Sequence, residues 1–102
     1  MFEGDEPEFV RSIIDMFIQN TPESLDQIKS AYAAGEMELL RQTAHKLKPH
    51  FTFFGANQLQ QVLQMIEDIA KSGEGKEKLP ELIHFLEDSI APMIEQLKTD
   101  FP

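Results

Sequence analysis

Apolar residues recur along this chain at intervals of three and four, and no segment alternates apolar with polar residues between hairpin turns. Such spacing puts the apolar side chains on one face of a helix, whose period is about 3.6 residues, and gives a strand no face to bury. The chain therefore reads as all-α. With 102 residues, 41% of them hydrophobic, it can enclose one compact core and not two, so residues 1–102 are expected to form a single domain.

Five helical segments follow from the pattern. The first fits about residues 6–19, with Phe9, Val10, Ile13, Ile14 and Phe17 on one stripe. Thr21 reads as an N-cap, with Pro22 at the first helical position and Glu23 in the first turn. They open a second helix that buries Leu25, Ile28, Ala31 and Tyr32 and stops at Gly35. A third fits about 36–54, a fourth about 56–71 and a fifth about 77–99. The connection "KSGEGKEK" is short and polar, and short connections make neighbouring helices antiparallel. The expected fold is an antiparallel four-helix up-and-down bundle with an additional N-terminal helix.

Composition removes several classes of function. No apolar run approaches the roughly 20 residues needed to cross a bilayer, and the N-terminus lacks the basic and apolar regions of a secretory signal. A soluble, cytoplasmic monomer without membrane insertion is expected. The absence of cysteine excludes disulfides, thiolate nucleophiles and cysteine-based zinc sites. A net charge of −9 argues against nucleic acid as a partner, because phosphate backbones repel negative surfaces.

That charge is uneven. Residues 39–66 hold no acid but carry Arg41, Lys46 and Lys48, a local +3, whereas the rest of the chain sums to −12. An acid-free stretch in an acidic protein is a candidate docking surface for something anionic.

The third helix runs through that stretch. At about 100° per residue, Leu40, Ala44, Leu47, Phe51 and Phe54 form a core stripe on the side away from His45. Arg41, Gln42, Lys48, Pro49 and Thr52 fall within about 60° of it. His45 is therefore expected to face solvent. Imidazole is a good nucleophile near neutral pH, and Lys48, one turn on, is placed to meet the oxygens of a phosphoryl group.

Other chemistry finds less support. The chain has no Gly-rich phosphate loop, no Ser–His–Asp arrangement and no HExxH pair. His45 and His50 stand about 140° apart on a helix, unlike paired metal ligands at i and i+4. No metal site and no cofactor in this chain are expected.

The residues around His45 resemble the histidine-containing phosphotransfer (HPt) domains of multistep two-component relays. Ala44, His45, Leu47, Lys48, Gly55 and Ala56 match the motif in register, and Leu59, Leu63, Ile66 and Glu67 match the helix that follows. The segment "GDEPEFVRSIIDMFIQNTPESLDQIKSAYAAGE" is similar to the family's first two helices. One position departs: the glycine usual after the lysine is Pro49, which predicts a kink beside His45.

The resemblance implies that His45 accepts a phosphoryl group from a receiver-domain aspartyl phosphate and passes it to another receiver. Lys48 would offset the phosphoryl charge. The partners implied are response-regulator receiver domains and a hybrid sensor kinase, with Mg²⁺ on the receiver and no ATP site or autokinase activity in this chain. Arg41, Gln42, Pro49, Thr52, Phe53 and Gly55 are the candidate docking residues, Phe53 being either a docking contact or an aromatic at the core margin. The alternatives are an inactive HPt-like fold and a structural helical bundle, either of which would only bind a partner protein.

Overall fold

The computed structural model describes residues 8–52 and 54–101. Four α-helices account for nearly all of them: α1 (Glu8–Ala34), α2 (Met37–Thr52), α3 (Asn57–Ser72) and α4 (Leu79–Asp100), with a 3-10 turn at Lys76–Lys78 leading into α4. No strand occurs among the described residues. α1 packs against α2 and α4, and α3 packs against the same two helices. A single core joins them, with Ile28, Leu40, Leu47, Phe51, Leu63, Ile66 and Leu86 fully enclosed.

The first two expected helices are one. α1 runs unbroken with Pro22 inside it, so what the sequence suggests as an additional N-terminal helix is the first half of α1. Ile14, Phe17, Thr21, Leu25, Ile28 and Ala31 are all buried, at steps of three and four that keep phase across the proline. A mid-helix proline typically costs about 3 kcal/mol, and burying one large apolar side chain is worth roughly 1.5–3 kcal/mol, so an uninterrupted stripe outweighs the break. Thr21 does not cap a helix; it belongs to the stripe and is wholly buried. α4 likewise continues through Pro92, between buried Ile90 and Ile94.

Two residues expected inside are exposed. Phe9 lies about 140° around α1 from Ile14, off the stripe that packing selects, and is 65% exposed. Tyr32 gives the inward position to Ala31 beside it.

The ends of α1 and α2 are built alike. The Glu36 N–H donates to the Ala31 carbonyl at 2.9 Å and the Gly35 N–H to Tyr32 at 3.1 Å; the Ala56 N–H donates to Phe51 at 3.1 Å and the Gly55 N–H to Thr52 at 3.1 Å. This crossed pair of bonds requires one left-handed residue, supplied by Gly35 at φ 72° and Gly55 at φ 65°. Phe54 therefore falls beyond α2, half-buried, with its ring 4.7 Å from that of Phe17.

Candidate functional site

α2 and α3 form a hairpin whose facing polar side chains pair in an even antiparallel register. His45 Nδ1 lies 3.1 Å from Glu67 Oε2, and Lys48 Nζ lies 2.6 Å from Gln64 Oε1. Gln60 Nε2 donates to the Thr52 hydroxyl and, at 3.4 Å, to the Lys48 carbonyl. Three residues separate His45 from Lys48 and Glu67 from Gln64; four separate Lys48 from Thr52 and Gln64 from Gln60. These side chains form three rungs along one edge of the hairpin, and the cap at Gly55 and Ala56 sets where they fall.

His45 is exposed, as its helical phase predicts: 63% of its side chain meets solvent. Lys48 does not stand in solvent as expected. It folds onto α3, only 22% exposed, with Nζ 2.8 Å from Glu67 Oε1. That oxygen is buried and accepts no hydrogen bond; its contact with the ammonium is one of charge, off the angle a hydrogen bond needs. Burial alone pushes the Glu67 carboxyl up, but Lys48 and His45 beside it pull the other way and prevail, so it stays below the ordinary carboxylate range and is ionised.

An ionised carboxylate can only accept. The Nδ1 that faces Glu67 therefore carries the ring proton, and in the neutral imidazole the lone pair lies on Nε2. This orients one nucleophilic nitrogen away from the protein, with a cation one turn along the helix.

The remaining sequence candidates are divided. Arg41 donates to Glu38 from Nε at 3.0 Å and Nη2 at 2.5 Å, and Gln42 donates to the same carboxylate at 3.0 Å. These bonds hold the Glu38 carboxyl down to about 2. Pro49 and Thr52 are exposed, and Gly55 is exposed within the α2 cap. Phe53 lies outside the described residues. The two acids that bound the acid-free stretch, Glu38 and Glu67, thus fold back onto its cations, and the stretch is less positive in space than along the chain.

His45 and His50 do not share a site. His50 turns to α1, where its Nδ1 and the buried Thr21 hydroxyl share a hydrogen bond of 3.2 Å and its ring centroid lies 6.5 Å from that of Phe17. Desolvation in this position lowers the His50 pKa below its ordinary value. A cleft of about 210 Å³ opens here between α1 and α2, lined by Ile13, Met16, Phe17, Asn20, Pro49 and His50.

Sequence reasoning did not assign Glu67, Gln64 and Gln60 to the site. Glu67 entered only as a motif match on the following helix. The available signal was the Gly–Ala turn, because a hairpin centred on Ala56 puts residue 67 opposite residue 45.

The model of the Hpt domain matches residues 12–100, and the chain belongs to that family. Hpt domains are phosphotransfer modules of two-component relays, without kinase activity of their own, and work with receiver domains and kinases. Neither a curated protein nor a solved structure matches the chain. No helix among the described residues is long and apolar enough to cross a membrane.

Proposed function

We propose that this protein is a phosphorelay intermediate that takes a phosphoryl group onto His45 Nε2 from a receiver-domain aspartyl phosphate and hands it to a second receiver. The observation that carries this reading is the His45–Glu67 contact, which commits one ring nitrogen to the protein and leaves the other, with its lone pair, toward solvent. Nε2 attacks phosphorus as the bond from phosphorus to the aspartyl oxygen breaks, and that carboxylate leaves with the electron pair. The ring then carries positive charge, which Glu67 faces at 3.1 Å. Lys48 supplies a cation for the transferring oxygens, and the Mg²⁺ of the reaction is expected in the receiver's acidic pocket.

The partner is proposed to dock over Arg41, Gln42, Pro49, Thr52, Phe53 and Gly55, on the side of α2 that bears His45. The same reading takes the four helices as an antiparallel up-and-down bundle, since only Gly35 and Glu36 separate α1 from α2 and the α2–α3 rungs run antiparallel. Cytoplasmic location and a monomeric state complete the proposal.

The test is acceptance of label from phosphorylated receiver domains by the wild-type chain and by His45→Gln. The wild type should gain an acid-labile phosphoryl group, as a phosphoramidate does, and the variant none. Label of undiminished amount on His45→Gln would move the acceptor elsewhere and end this assignment.

A further inference from the structure

The α3 ridge that faces the Lys48 side of α2 continues past the three rungs. Gln64 accepts from Lys48 Nζ at 2.6 Å through Oε1, and its own Nε2 donates to Asp68 Oδ1 at 2.9 Å. An amide has one accepting end and one donating end, and a carboxylate can only accept. Asp68 therefore selects the amide orientation in which the carbonyl oxygen points at Lys48. The flipped amide would set an NH₂ group against an ammonium and against nothing that accepts.

Two oxygens on one helix thus hold the Lys48 ammonium: Gln64 Oε1 at 2.6 Å and Glu67 Oε1 at 2.8 Å. A lysine has a flexible four-carbon stem, and a free one sweeps a wide volume. Glu67 also serves His45, whereas among the described residues the side-chain hydrogen bonds of Gln64 go to Lys48 and Asp68. Gln64 is itself exposed and fills no place in the core.

We propose that Gln64, oriented by Asp68, is a positioning residue for Lys48, holding its ammonium beside His45 where a phosphoryl group arrives. This deepens the phosphotransfer reading and rests on it. In the step concerned, Nε2 bonds to phosphorus while the bond from phosphorus to the donor's leaving atom breaks and the leaving group departs with its electron pair. Lys48 balances charge on the oxygens and exchanges no proton.

Phosphoramidate is a suitable probe, since it donates a phosphoryl group, releases ammonia and needs no docking partner. Its reaction with His45 of the full chain is followed by ³¹P NMR in the wild type, Gln64→Met, Asp68→Asn, Lys48→Ala and the Gln64→Met/Lys48→Ala double variant, with helicity checked for each. Gln64→Met should be slower by about fivefold and Asp68→Asn by about twofold, while in the Lys48→Ala background Gln64→Met should cost nothing further. A purely structural glutamine would lower the rate equally in both backgrounds, and that result overturns the proposal, as does an unchanged or faster Gln64→Met. If the wild type takes no phosphoryl group at His45 from either phosphoramidate or phosphorylated receivers, the underlying reading fails instead.

Discussion

At the scale of single residues, the two histidines of α2 show how alike a sequence can make positions that packing separates. His45 reaches solvent and is tied to α3, whereas His50 is drawn under α1 beside Thr21 and Phe17. Because burial lowers the His50 pKa in the folded protein, the unfolded chain binds the proton more readily. Stability from this residue is complete above the ordinary histidine value of 6.5 and is lost as pH falls below it. The carboxylates with lowered values, Glu38, Glu67 and Glu87, start from 4.5 and add their own loss only at lower pH. Thermal melts should therefore show a first decline in midpoint between about pH 6.5 and 5, absent from His50→Gln, ahead of the general acid transition. A wild-type midpoint flat over that range would contradict the burial of His50. The outward direction of His45 was legible from helical phase alone; the inward turn of His50 was not, because it depends on where α1 passes.

At the scale of the helices, the hairpin rather than any one helix makes the site. Periodicity locates the helices after Gly35, and Leu40, Ala44, Leu47 and Phe51 in α2 are buried as the sequence implies. It misplaces the break at Pro22, because the Thr–Pro–Glu signal at a helix start is local while the stripe that overrides it is long. It is silent on register, which decides that Glu67 faces His45. Gly55 sets that register, and no atom lies within 4 Å of a Cβ added there, so Gly55→Ala meets only the backbone cost of a left-handed alanine. That cost is about 1–2 kcal/mol, expected as a midpoint lowered by roughly 4 °C or more in a thermal melt. A melt unchanged from wild type would show that the α2 end adopts another conformation.

At the scale of the whole molecule, charge placement governs how a partner finds the site. The chain carries −9, and the acid-free stretch suggests a basic face within it. Folding brings Glu38 onto Arg41 and Glu67 onto Lys48, and of the three cations in the stretch only Lys46 has no ion pair among the described residues. Long-range steering toward an acidic receiver pocket is correspondingly weak. Receiver affinity measured by titration should change less than about threefold between about 0.05 and 0.5 M salt. A loss of tenfold or more over the same range would restore the basic face that the linear sequence suggests. The neutralisation was not readable from composition, since each acid lies just outside the stretch it closes on.

The equal stepping of the α2–α3 rungs also makes tolerance to changes of length uneven along the chain. One residue inserted between Thr52 and Asn57 would disturb the cap bonds that fix how α3 meets α2, and so bear on all three rungs together. The same insertion at Gly73–Gly75 would lengthen a connection that none of the rungs crosses. The segment from residue 45 to residue 67 therefore behaves as a ruler of set length, and inserted tags or extra loops belong beyond Ser72.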